Sequence, residues 1–213
     1  MALDNYADLQ LAIQSWADRN DAGFVSACPD FIALFEATAN TEISLETRFN
    51  TNSTSLSLTS ATNLVPLPAD FQNAKAFVNT TPQPVQVVPI YSAASLYTNV
   101  ASPLTTGQPL GVTITGTNAE FAPNADKTYA IELYYYQIVP PLASQVSGTN
   151  WLLTNFPNLY LFGSLLAAEA FLGTDPRIEL WGQLYDNVMQ KIAGSTARGQ
   201  YGSPLSVRVD AVV

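Results

Sequence analysis

Apolar residues in the first segment recur at helical spacing: Tyr6, Leu9, Ile13 and Trp16 form one stripe, with Asp4, Asp8 and Asp18 off it. The turn residues Arg19-Asn-Asp-Ala-Gly23 end that helix. A second helix is predicted to open at Pro29, whose missing N–H costs nothing in a first turn, and to run to about residue 45. It places Phe31, Leu34, Phe35 and Thr38 on one side. From Thr47 the period changes to alternation, as in Ser55-Leu-Ser-Leu-Thr59. Residues 85–88, 111–115 and 129–139 are rich in β-branched and aromatic side chains and read as strands. In the last of these, alternation puts Ile131, Leu133 and Tyr135 on one face. Pro, Gly and Asn separate the strands, and no long helical crossover of the kind a parallel sheet needs is visible, so an antiparallel sandwich or small barrel is expected. Helical spacing returns at Pro157, with Leu159, Phe162, Leu166 and Ala170 in register to about Leu172, where Gly173 stops it. After the cap Asp175-Pro176, the residues Ile178, Trp181, Tyr185, Val188 and Ile192 repeat until Gly194. Residues 195–213 read as an arm ending in a short Leu205-Ser-Val-Arg-Val strand.

This order of elements predicts an α+β fold: a helical bundle from residues 1–46 and 150–194, with an antiparallel β-sandwich or small barrel of residues 47–149 inserted. The arm of residues 195–213 completes the chain.

Composition narrows the chemistry. Charged residues make up 12% of 213, about half the usual share, and the net charge is -9. No histidine is present, which excludes mechanisms that need an imidazole base or ligand. Eight cations against 17 acids argue against a nucleic-acid grip. The single Cys28 excludes an internal disulfide framework and is expected to be a reduced thiol. The start carries acid where a signal peptide carries Lys or Arg, so synthesis in a cytoplasm is expected. The apolar run of residues 151–172 is broken by Asn155, Pro157 and Asn158, and so reads as a buried helix and not a membrane span.

No motif points to catalysis. Asp18-Arg-Asn-Asp21-Ala-Gly23 fails as a calcium loop at Ala22 and at Pro29, where the bidentate Glu should fall. Lys127-Thr128 lacks the glycines of a phosphate loop, and Gly163-Ser164 sits inside a helical pattern instead of a nucleophile turn. The acids are dispersed along predicted helix exteriors. The chain is therefore expected to be no enzyme, with no catalytic residue, cofactor or metal ligand.

The distribution of charge carries more. No charged residue lies between Lys75 and Glu120, or between Glu132 and Glu169. Depletion of charge is a mark of interface cores, so multisubunit assembly is expected. Within the run Tyr134-Tyr135-Tyr136, Tyr134 and Tyr136 fall on the face opposite Tyr135. Leu161 and Leu165 lie on the far side of the Leu159/Phe162 stripe, so that helix is apolar nearly all round and is buried by its own domain or by a neighbour. Tyr134, Tyr136, Leu161 and Leu165 are the candidates for a subunit interface.

Several stretches together resemble a known family. They are the opening Leu3, Tyr6, Leu9, Ile13, Trp16, Arg19 and Asp21, then Pro29-Asp-Phe-Ile-Ala-Leu-Phe-Glu36, Thr47-Arg48 and Leu67-Pro-Ala-Asp-Phe71. Further along come Leu133-Tyr-Tyr-Tyr136, Pro141-Leu142, Asn150-Trp-Leu-Leu153, Pro157-Asn-Leu-Tyr-Leu-Phe-Gly163, Glu169 and Asp175-Pro-Arg177. This set resembles the head-to-tail adaptor proteins of tailed bacteriophages, the gatekeeper or tail tubular protein A type. Leu-Pro-Ala-Asp-Phe is similar to their strand entry. The resemblance implies a virion structural protein at the head–tail interface, forming a ring of twelve copies beneath the portal protein and joining it to tail or nozzle proteins. DNA would pass through that ring without sequence-specific binding, and an acidic bore would let it slide. It further implies that the C-terminal arm docks on the portal, here through Arg198, Tyr201, Leu205, Val207 and Arg208. The helix after Glu36 lacks the arginines many such adaptors place there. Two other functions fit the same residues: a tail-tube terminator or tail-completion protein, and a carbohydrate-binding β-sandwich using the tyrosines as sugar platforms.

Overall fold

A computed structural model of the chain describes residues 3–41, 47, 49–60, 62–81, 84–89, 95–96, 106–173 and 175–200. The chain forms two compact units, Met1–Asn50 with Val139–Val213, and Thr51–Ile138.

The first unit is helical: α1 (Tyr6–Ala17), α2 (Ala22–Thr41), a 3₁₀ turn (Leu142–Ser144), α3 (Trp151–Asn155), α4 (Pro157–Ala167), α5 (Glu169–Leu172) and α6 (Arg177–Gln200). Asn5 opens α1 by accepting the N–H groups of Ala7 and Asp8 on its side-chain oxygen at 2.9 and 3.0 Å. The second helix opens at Ala22, ahead of the expected Pro29. Asp21 caps it, Oδ1 accepting the Phe24 N–H at 3.0 Å, and Pro29 lies inside the helix. The buried stripe is accordingly Phe24, Cys28, Phe31, Ile32, Phe35, Glu36 and Ala39, a continuous 3–4 spacing. The expected Leu34 lies outside it, 56% exposed, and Thr38 is exposed too. This α2 is also the one described helix long and apolar enough to cross a membrane by length and composition, and the stripe packed into the core accounts for much of that apolarity.

The expected helix of residues 157–172 is divided at Ala168 into α4 and α5, and Gly173, at φ 69°, ends α5 as predicted. Along α6 the predicted stripe holds: Trp181 and Ile192 are buried, with Ile178, Tyr185 and Val188 packed on the same core. The helix does not stop at Gly194 but continues to Gln200, so the first residues of the expected arm are helical. A glycine inside a helix costs about 1 kcal/mol relative to alanine, too little to end a helix that packs along this length.

The second unit contains β1 (Thr51–Leu58), β2 (Leu64–Pro66), β3 (Phe71–Asn79), β4 (Val85–Pro89), β5 (Thr106–Gly107), β6 (Gly111–Thr115), β7 (Asn118–Ala122), β8 (Asn124–Ala125) and β9 (Tyr129–Gln137). One seven-stranded sheet runs β1-β9-β3-β4-β6-β7-β2, and β5 pairs with β8. The sheet is mixed where antiparallel order was expected: β4 and β6 run parallel, Val88 opposite Gly111. The residues between Pro89 and Gly111 exceed the dozen or so that a parallel crossover needs. Leu56 and Leu58 of β1 and Val65 of β2, from the two ends of the strand order, share one core with Phe77, Val87, Val112, Phe121, Ile131, Leu133 and Tyr135. The sheet therefore nearly closes on itself, Phe77 and Phe121 meeting edge to face at 5.8 Å in its interior. The fold class is α+β.

Candidate assembly interface

Three features fix the helical unit. The first is a buried polar chain around Glu36, which the phase of α2 points inward. Its Oε1 accepts the Leu142 N–H at 2.8 Å and the Tyr160 hydroxyl at 2.6 Å. Asn150 donates from Nδ2 to the Tyr160 oxygen at 3.0 Å and to the Pro140 carbonyl at 2.8 Å, while its Oδ1 caps α3 by accepting the Leu153 N–H at 2.9 Å. One turn on from Glu36, Asn40 brackets Val139, accepting its N–H at 2.7 Å and donating to its carbonyl at 3.1 Å. Burial raises the Glu36 carboxyl above the usual glutamate range, and the bonds from Tyr160 and Leu142 offset this only in part. Burial, and next the adjoining carboxylate, raise the Tyr160 hydroxyl as well.

The second feature is Gly163. Seven consecutive residues of α4, Leu159 to Leu165, are buried. The Phe35 ring of α2 lies directly on Gly163, where a Cβ would fall on its Cδ2 and Cε2 atoms.

The third is Arg177. Its guanidinium forks onto Asp175, Nη2 to Oδ2 at 2.7 Å and Nε to Oδ1 at 3.0 Å. It also donates to the carbonyls of Trp16 and Ala17 at 3.1 and 2.9 Å, so a residue at the start of α6 closes the C-terminal end of α1. Its charge lies 5.5 Å over the Trp181 ring. Arg177→Lys keeps the charge but not the fork. It is expected to lower the thermal midpoint by about 2–4 °C, read by circular dichroism. Gln190→Lys, on the exposed side of α6, should leave the midpoint unchanged.

In the β unit, Asp70 and Phe71 place the strand entry. The Tyr135 hydroxyl donates to Asp70 Oδ1 at 2.9 Å, the Phe71 and Tyr135 rings lie 5.8 Å apart, and β3 begins at Phe71. Burial, then the hydrogen bond and charge of Asp70, push the Tyr135 hydroxyl up to about 12.

Of the four residues expected at a subunit interface, Tyr134 is 41% exposed on the outer side of β9 and Tyr136 is buried. Leu161 and Leu165 are buried within the helical core of their own chain. Of the expected arm residues, Arg198 lies on α6, and Tyr201, Leu205, Val207 and Arg208 lie outside the described residues. Ser164 is fully buried inside α4, and Cys28 is buried with its thiol pushed up by desolvation. Among the described residues no group of three or more His, Cys, Asp or Glu could hold a metal ion.

The residues that lock the helical unit, Phe35, Glu36, Asn150, Tyr160, Gly163 and Arg177, lie in the stretches that carried the resemblance to phage adaptors. The profile of the SU10 adaptor protein family matches residues 4–208. The chain belongs to the SU10 adaptor protein family. As an SU10 adaptor it is a bacteriophage structural protein, a virion component that associates with other virion proteins. No curated protein matches the chain. Among the anchors of this SU10 adaptor, Glu36 was hidden by the Pro29 start assigned to α2. Phasing the stripe from Phe24 would have turned Glu36 inward.

Proposed function

We propose that this SU10 adaptor seats beneath the portal and joins it to tail or nozzle proteins, as one copy in a ring through which DNA passes without sequence-specific binding. Membership of the adaptor family carries the reading. The resemblance puts the ring at twelve copies, assembled in the host cytoplasm, and the protein acts without catalysis. The net charge of -9 suits a conduit, because DNA phosphates find few cations to hold them. Neighbouring copies meet through surface that includes Tyr134, and residues 195–213 dock on the portal through Arg198, Tyr201, Leu205, Val207 and Arg208. A sugar platform is the poorer reading, since Tyr135 and Tyr136 are buried beside the exposed Tyr134.

Removing residues 201–213 leaves α6 complete to Gln200. The truncated chain is expected to keep its circular dichroism spectrum and to lose co-sedimentation with portal particles. Retained portal binding would refute the arm assignment. Co-sedimentation of the full chain with tail tube instead of portal would favour a tail-completion role.

A further inference from the structure

The outer face of β1, β9 and β3 is nearly free of charge. Its rows run Ser53–Tyr134–Ala76 and Ser55–Glu132–Val78, and Val78 continues the second row to Gln86 of β4. Ser53, Ser55, Gln86 and Tyr134 are exposed, Ala76 and Val78 half-buried, and Tyr136, on the same face, is buried. Two charges interrupt this face. Glu132 lies two residues before Tyr134 and is half-buried. Lys75 sits at an irregularity in the β3–β9 register, its ammonium 5.8 Å over the ring of Tyr136, two residues after Tyr134. Among the described residues neither charge has an ion-pair partner in its own chain; the pairs present are Arg19–Asp21 and Arg177–Asp175.

This arrangement is self-complementary. A negative charge on β9 and a positive charge on the neighbouring β3, held over Tyr136, lie to either side of the central Tyr134. A two-fold axis lying between two such faces, across the strands at Tyr134, sets Tyr134 against its copy. The same operation brings Glu132 opposite the partner's Lys75, and Lys75 opposite the partner's Glu132. A chain of net charge -9 repels its copies over most of its surface, and this face offers them two attractive pairs on an otherwise neutral ground.

We infer that free copies of this chain pair face to face through this sheet, as an isologous dimer centred on Tyr134. Area sets its size class. Four strands about 4.8 Å apart and about six residues long give about 400 Å² per copy. A stable interface buries roughly 800 Å² per partner, so the dimer is a weak, transient one. Because the proposed ring would use the same face, pairing also holds free copies back from ring closure, a consequence that rests on that reading.

Sedimentation of the purified chain from about 10 µM to 1 mM tests the dimer without portal or tail proteins, so its outcome is separable from that of the portal experiment. A monomer–dimer equilibrium with no larger species is expected. Lys75→Glu or Glu132→Lys alone sets like charges face to face and should raise the dissociation constant at least about tenfold. The double reversal, Lys75→Glu with Glu132→Lys, should restore it. Tyr134→Ala, at an exposed position and independent of the charges, should abolish the dimer while the circular dichroism spectrum is retained. A monomer at every concentration, larger species, indifference to Tyr134→Ala, or a double reversal that fails to restore pairing would each overturn the inference.

Discussion

Gly163→Ala is expected to destabilise the helical unit by about 2 kcal/mol, although alanine is the better helix former. The propensity gain is about 1 kcal/mol. Against it stands a methyl group placed on the Phe35 ring, and overpacking this severe costs about 3 kcal/mol, the upper end of the usual range. The ring has little room to retreat. Phe35 is 3% exposed, the Tyr160 ring lies 5.0 Å from it edge to face, and Tyr185 closes another side at 6.4 Å. The 222 nm thermal midpoint should fall by about 4–8 °C. Pairing Gly163→Ala with Phe35→Leu should recover part of that loss, because the smaller side chain vacates the ring position. A Gly163→Ala protein as stable as the parent would show that the two helices can separate freely, and that the close approach is not a constraint.

Tyr160→Phe should cost a comparable amount, about 2–4 kcal/mol, without changing shape. The substitution strips the Glu36 carboxylate of its shorter hydrogen bond and leaves an Asn150 N–H without its acceptor, both in the interior. The sign of the accompanying pH dependence follows from Glu36. Its carboxyl is raised above the ordinary 4.5 in the folded chain, so the folded state holds that proton more tightly than the unfolded state does. Stability from this group is full below pH 4.5 and is lost as pH climbs through the raised value. Glu36→Gln keeps an acceptor oxygen and removes the titration. It should therefore match or exceed the parent at pH 7 and lose that advantage at pH 4, as read from urea midpoints. In the Glu36→Gln background, Tyr160→Phe should cost less than it does alone. An advantage for Glu36→Gln that grows on acidification would refute the assignment.

The sequence was legible where one period ran unbroken. The α6 stripe and the Ile131, Leu133, Tyr135 face of β9 both needed only local spacing. The α2 stripe was misphased because Pro29 is a helix-start signal and Asp21, the true cap, lies in a turn that also ends α1. Leu34 then joined a face it does not share. Pairing was less legible: the parallel β4–β6 contact joins strands whose register depends on how the rest of the sheet closes. The charge gaps divide in two. The gap after Glu132 is largely accounted for by the chain's own core, since Leu142, Leu152, Leu153 and the residues of α4 are buried there. The gap after Lys75 includes part of the outer sheet face, where Val78, Gln86 and Val88 meet solvent. Of the expected interface residues, the structure leaves Tyr134 on the surface, because alternation decides which side a strand residue takes but not what covers it.

The bonds that close the helical unit join residues 99, 106 and 124 positions apart, with the whole β unit between them. A ribosome adding about 5–20 residues per second needs roughly 6–24 s to travel from the end of α2 to Tyr160. For that interval the Phe24–Ala39 stripe has been synthesised but α4 has not. The N-terminal helices thus emerge first and complete last, after strands whose partners all lie within their own 88-residue span have had time to pair. A nascent chain of this kind carries the apolar face of α2 without its α4 partner until α4 has been made.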